Sequence, residues 1–489
     1  MANKIVKAIS SQRTNFILYI GFAALLLLGL TLGWVSDWYY LLLLPPAALV
    51  GYLAITDFKS AFYLFLLTIP LSMEIELPGG FGTDLPTEPL MVGLMGIYFL
   101  YVLSRPKEMR ANFIRHPISL IILLHLSWIL VTTITSSLFI VSLKFFLAKI
   151  WYIVVCYFMA GHLIRSAKDL KKMFWVVFIP LVLTVFIILI RHAGYGFSFR
   201  DVNKVMYPFQ RNHVSYAATI TLFFPFVLLA RSWYPRGSLL RQGLNILVLI
   251  LLVAIYLTFT RAAFVALAMA AGAYYIFRFK MVKYVVILAI IGILGGVWYV
   301  VHDNKYLDFA PNYDKTITHY NFDNLIEATY KMEDISTMER VYRWVAGGHM
   351  SIEKPLTGFG PGNFYNFYRS YTVTGFTTYV SINKEKSGIH SYYLMTLVEQ
   401  GFFGLLLFLF LTFYTLIRGE RIYHQAKNKN DKRVIMTLLA VIIIIDAFLL
   451  INDMIETDKV GTFFFICLAL LVNYDIKTST STPNRLHDR

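Results

Sequence analysis

The segment Gly388-Ile389-His390-Ser391-Tyr392-Tyr393-Leu394 runs on to Glu399-Gln400-Gly401 and joins a long polar loop to a strongly apolar stretch. It puts a histidine at the start of a helix. The dipole and free N–H groups of a helix N-terminus disfavour the imidazolium and keep the ring neutral near pH 7, as a general base requires. Ser391 follows it directly. Glu399 lies nine residues further on, about 13 Å deeper along a helix. A carboxylate at that depth is expected to pair with a cation on another helix, in structural support.

Cations gather in the loops that share the histidine's side. Arg211 precedes Asn212-His213, where an apolar run begins, and a guanidinium beside a helix start suits phosphate. Arg261 sits in a tight turn, Thr258-Phe259-Thr260-Arg261, between two apolar runs. Arginine at such a boundary either snorkels to headgroups or meets an anionic substrate. Arg340 and Arg343 are three apart, hence neighbours on one helix face; an ordinary solvated face is the plainer reading. Arg200 lies in the basic loop near 191–213. No HxxH pair or Asp-rich cluster suggests a metal, and Gly358 to Gly362 lacks the Lys-Ser/Thr of a phosphate-binding Walker loop. Neither a metal nor a cofactor is expected; fixed cations would do the electrostatic work.

The elements that must position these residues are membrane helices. The chain has 489 residues, 58% hydrophobic and 15% charged, with mean hydropathy +0.62. Apolar runs of about twenty residues recur from end to end. An all-α polytopic membrane protein of about 12–14 spans follows, at roughly 15–33, 38–56, 60–73, 89–104, 117–136, 144–164, 173–191, 213–230, 243–259, 261–278, 283–301, 391–417, 434–452 and 459–474. Pro45-Pro46 is expected to kink the second. Residues 1–301 would hold about eleven of them, 302–390 one large loop with helices in it, 391–474 the rest, and 475–489 a polar tail.

The net charge of +16 fits loops that set orientation better than nucleic-acid binding. Lys/Arg-rich loops near 105–115, 165–172, 231–241, 278–283 and 418–433 alternate with the acidic Glu74 to Glu88 and the near-balanced Asn452 to Lys459. That alternation gives N-in, C-in topology, with the 302–390 loop and His390 outside. A loop of that length is a functional element rather than a connection. Asp323 to Glu353 reads as a helix with Leu325, Ile326 and Met332 available for packing, closed by the turn Lys354 to Phe364 and followed by tyrosines including Tyr379. Cys156 and Cys467 lie in apolar runs and read as core residues.

Three motifs together resemble the O-antigen ligase and polymerase superfamily. They are His390-Ser391-x-x-Leu394 with Glu399-x-Gly401-x-x-Gly404, Pro355-Leu-Thr-Gly358-x-Gly360-x-Gly362-Asn-Phe364, and Thr260-Arg261-Ala262-Ala263. Ser391 and Thr260 stand where the family often has Asn and Ser. The resemblance covers roughly residues 200 to 420. It implies a C-type glycosyltransferase fold in the bacterial inner membrane, acting at the periplasmic face on a glycan carried by undecaprenyl diphosphate. By position, His390 is then the base, Arg211 and Arg261 the diphosphate ligands, with Arg340 a weaker one; Arg200, Arg343, Ser391 and Glu399 are supporting. The acceptor is lipid A–core for a ligase, which is favoured, or a second lipid-linked repeat for a polymerase. A protein hydroxyl, or mere flipping of the lipid-linked glycan, ranks lower. A flippase places its cations in mid-span and has no need of a large outside loop.

Overall fold

The computed structural model describes residues 44–77, 81–108, 110–310, 335–378, 381–383 and 387–480, with scattered positions between 20 and 31. Most of the expected span 15–33, the start of 38–56, Leu325, Ile326, Met332, Tyr379 and the end of the tail lie outside them. Pro45 and Pro46 fall in the first turn of the helix described from Leu44.

The chain is a bundle of helices, as its apolar runs require: in lipid every backbone N–H and C=O must be satisfied within the segment. In order come α1 (Leu44–Thr56), α2 (Phe58–Thr68), a hairpin of β1 (Met73–Leu77) and β2 (Phe81–Leu85), α3 (Thr87–Ser104), α4 (Pro117–Ile134), α5 (Phe139–Leu163), α6 (Ala167–Gly194), α7 (His213–Arg231), α8 (Leu239–Leu257), α9 (Arg261–Arg278), α10 (Val282–Val301), α11 (Ile335–Glu353), α12 (Tyr392–Gln425), α13 (Lys429–Leu449) and α14 (Asp458–Thr480). Among the described residues, nine helices are long and apolar enough to cross a membrane. Helices α9 and α13 pack on each other. They carry charge at their ends, as at Arg261, Arg278 and Lys429.

Burial orders the bundle. Helix α14 is its axis, with 89% of its membrane-length window inside the protein, whereas α10 has 6% and presents its Val/Ile/Leu surface outward, as a lipid-facing helix does. Around α14 lie α5, α7, α12 and α13, with α4 against α12. The acidic loop at 74–88 is a β-hairpin, Met73 paired with Leu85 and Leu77 with Phe81. Helix α6 starts on a capping box in which Ser166 and Asp169 each accept the other's backbone N–H.

Helix α12 is broken where the glycine-rich turn meets it. Gly401 has φ +70°, and a side chain there would strike the Leu356 carbonyl. Carbonyls near the break serve the turn: Phe359 N–H donates to Val398 O (3.0 Å) and Gly360 N–H to Glu399 O (2.9 Å). Phe402 N–H donates in return to Pro355 O at 2.8 Å. From α4, Trp128 Nε1 donates to the Gln400 carbonyl (2.8 Å), and His125 Nε2 pairs with the Gln400 side chain (2.9 Å). Non-helical backbone at membrane depth is tolerated in this way, where protein supplies the missing partners.

Candidate active site

Three helices begin beside the candidate residues: α7 after Arg211, α9 at Arg261 and α12 after His390. Asn212 caps α7 by accepting from Ser215 N–H at 2.9 Å, and Ser391 caps α12 by accepting from Leu394 N–H. The first two starts are tied by His213, whose Nδ1–H donates to the Thr258 carbonyl (2.8 Å) and lies 3.2 Å from Thr260 Oγ1. The turn between them closes through Phe259 at φ +51°. Arg211 and Arg261 therefore lead two helices that are joined at their tips.

His390 is reached from the other side. Its backbone is left-handed, φ +58°, uncommon for a residue with a side chain and a mark of a position fixed by its surroundings. Arg343, on α11, supplies that fixing. It is 1% exposed, so it is no part of a solvated face. Its Nη1 donates to the Gly388 carbonyl and the Ser387 hydroxyl, both at 2.7 Å, and its Nη2 pairs with Glu339. Asn383 holds Ser387 through N–H and hydroxyl donors at 2.9 and 3.0 Å.

Burial, then the charges of Arg343 and Arg340, press the His390 pKa down to about 3. The ring is neutral over the whole physiological range, with its ordinary basicity suppressed by burial first and by nearby positive charge second.

Asp453 connects the two halves. It sits in the loop between α13 and α14, with its carboxylate against Gly388. Arg211 and Arg343 both lie within its electrostatic reach, while burial raises its pKa. The same loop carries Glu456, ion-paired with Lys149 of α5 at 2.6 Å, and Asp458, which accepts from the hydroxyls of Ser72 and Thr87. Beside them opens a cavity of about 1620 Å³, open solvent included, walled by the β-hairpin, residues 207–211 and the 453–460 loop. Arg211 lines it and pairs with Glu74 at 3.8 Å. His390, Arg261, Arg340 and Arg200 do not line it. Arg200 stands on an exposed turn, Phe199–Asp201. The cavity is rich in carboxylates, and Asp84 within it is pushed up to about 7 by burial and by nearby Asp458.

The expected cation partner of Glu399 is corrected. Its carboxylate is buried and accepts from two backbone N–H groups, Gly362 (2.8 Å) and Phe364 (3.0 Å). The anion is satisfied by peptide dipoles of the glycine-rich turn, so no cation is needed. No motif marks Asp453, Glu456 or Lys149 in the sequence. The alternation Met73-Glu-Ile-Glu-Leu77 is, however, a strand pattern, the one sequence signal that points towards the hairpin wall.

The family described as O-Antigen ligase matches residues 246–409. The matched stretch runs from within α8 through the Arg261 turn, α11, the glycine-rich turn and His390 into α12. No curated protein matches the chain.

Proposed function

We propose that the chain, whose residues 246–409 match the O-Antigen ligase family, is an O-antigen ligase-like glycosyltransferase. It moves a glycan from undecaprenyl diphosphate to a hydroxyl of a lipid A–core acceptor. The reaction takes place at the periplasmic face of a bacterial inner membrane, in an N-in, C-in chain, without a metal. What supports this reading is the electrostatic setting of His390: a neutral imidazole with Arg340 and Arg343 in range, beside a loop carboxylate that also feels Arg211.

The chemistry is an inverting displacement. The acceptor oxygen bonds to the anomeric carbon as the bond to the diphosphate oxygen breaks. The hydroxyl proton passes to His390, and the departing diphosphate's charge is met by Arg211 and Arg261, with Arg340 in a lesser role. A ring held near 3 is a poor base in the empty site. The donor's diphosphate brings negative charge alongside it, offsets the guanidinium groups and raises its basicity when a proton has to be taken. Glu399, Arg343 and Ser391 hold the segment that carries the histidine, and Arg200 lies at the rim.

The test uses purified protein and lipid-linked glycan, with lipid A–core or additional lipid-linked repeat as acceptor. One transferred chain on lipid A–core is expected; a lengthening ladder would assign a polymerase instead. His390→Ala should lose most turnover. Transfer by that variant at the wild-type rate would remove the histidine from the chemistry.

A further inference from the structure

At the opposite end of the bundle a second cationic site has no assigned role. From Asp458 to Asn473 along α14 is fifteen residues, about 22 Å of helix, and Asn473 is where this site is built. Its Oδ1 accepts from Arg110 Nη1 at 2.9 Å. Its Nδ2 donates to the carbonyls of Gly161 (2.8 Å) and Ile164 (3.0 Å) at the end of α5. In the next residue, Arg165 Nε donates to the His162 carbonyl at 2.6 Å. Both guanidinium groups are thus held at one edge by neutral oxygens, with their remaining N–H groups unengaged among the described residues.

The neighbouring acids are already taken. Asp169 pairs with Lys59 at 3.0 Å, and Glu108 with Arg105 at 3.4 Å and the Tyr101 hydroxyl. Among the described residues no carboxylate pairs with Arg110 or Arg165. The two lie within electrostatic reach of each other and of His162, which the Glu108 carboxylate also reaches; two guanidinium groups outnumber that one acid, so a further anion is favoured. They border a narrow cleft of about 250 Å³, open solvent included, beside Tyr98, Phe113 and Phe158, and it adjoins a larger, solvent-open one through His162 and Arg165. Loop cations that only set topology would have neither a fixed guanidinium nor an aromatic wall.

We propose that Arg110 and Arg165, with His162 beside them, bind the phosphate ester of an anionic phospholipid headgroup at the mouth of this cleft, beside the half-buried Phe158. A forked guanidinium pair matches phosphate oxygens. Basic pockets between membrane helices recognise headgroups in this manner.

Full-length protein in detergent is titrated with phosphatidylglycerol, with phosphatidylethanolamine and with inorganic phosphate, and binding is followed by native mass spectrometry. Wild type should take up phosphatidylglycerol in preference to phosphatidylethanolamine. Arg110→Gln/Arg165→Gln should weaken that binding about 10-fold or more. Lys168→Gln/Lys429→Gln removes the same charge at the same end and should leave it unchanged. If the double variant is unstable, Arg165→Gln alone, whose exposed side chain hydrogen-bonds within its own turn, should still weaken binding about 3-fold. Equal binding of the two lipids, equal loss in the lysine control, or undiminished binding by the folded arginine variants overturns the proposal. Inorganic phosphate that binds and excludes the lipid would reassign the site to a free anion and overturn the lipid as its source.

Discussion

The carboxylate of Asp453 is seated on the Cα of Gly388, so close that a methyl group at residue 388 has no room. Gly388 is also the residue whose carbonyl Arg343 holds, two positions before His390. The helix-connecting loop 450–457 and the end of the large loop therefore lock into each other at this glycine. The contact sets where the histidine stands relative to the cavity that Arg211 lines.

Gly388→Ala should move that junction rather than unfold the bundle, because the clash is with one side chain in a loop. Glycan transfer is expected to fall at least about 10-fold, the cost of a displacement of order 1 Å in a positioned catalytic group. The melting temperature in detergent should change by only a few degrees. Asp453→Asn leaves the crowding in place and should not restore Gly388→Ala, whereas Asp453→Gly should restore part of the rate. Full activity of Gly388→Ala would mean that the junction does not position the histidine.

The depressed pKa of His390 fixes the shape of the pH profile. A group held near 3 stays neutral as pH falls through 6.5, so kcat/KM, which reports the free enzyme, should show no acid limb between pH 5 and 7. Removing one of the charges that hold it down, in Arg340→Gln, raises the pKa and moves an acid limb upward. A wild-type profile that falls with an apparent pKa near 6.5 would contradict this electrostatic account.

The apolar runs show that the chain is a helical membrane bundle because lipid leaves the backbone few other solutions. His390, Arg211 and Arg261 stand out for a related reason: charge and imidazole beside apolar runs need an explanation. What a sequence cannot display is a bond to the backbone. The partners of Glu399 are two N–H groups thirty-five and thirty-seven residues away, and no letter marks them. The same limit hides Asp453, which matters because of a glycine on another loop. Arg343 reads as one of a surface pair, and its burial follows from the fold of the large loop. The hairpin at 73–85 is different in kind. Its alternation is present, but five residues between apolar runs read equally well as an acidic loop.

Glu399→Gln tests the first of those bonds. An amide keeps one acceptor oxygen and turns an NH₂ group toward a backbone N–H, so one buried donor is left unsatisfied, at about 1–3 kcal/mol. A melting temperature lower by several degrees is expected, with transfer reduced through the loosened glycine-rich turn. Because no cation among the described residues partners Glu399, the wild-type contact should be insensitive to salt. A Glu399→Gln protein as stable as wild type would show that the carboxylate's charge is not needed to hold the turn.

Lys149 and Glu456 give the last expectation. The lysine is almost wholly buried on α5, and its ammonium meets both carboxylate oxygens, at 2.6 and 2.8 Å. Glu456 is a quarter exposed and lines the cavity. The Coulomb gain is therefore partly screened, but the lysine has been taken out of water and depends on its partner. Removing the acid alone, in Glu456→Leu, strands the ammonium and should destabilise by about 2–3 kcal/mol, below the roughly 3–5 kcal/mol of a fully buried pair because the carboxylate is partly exposed. Lys149→Met leaves only a partly exposed carboxylate behind and should cost less. In Lys149→Met/Glu456→Leu no charge is stranded, so the double variant should melt above Glu456→Leu. Thermal unfolding of the four proteins in one detergent measures the cycle. If the double variant melts below Glu456→Leu, the lysine is stabilised by something other than this carboxylate, and the loop bearing Asp453 is not anchored to α5 through the pair.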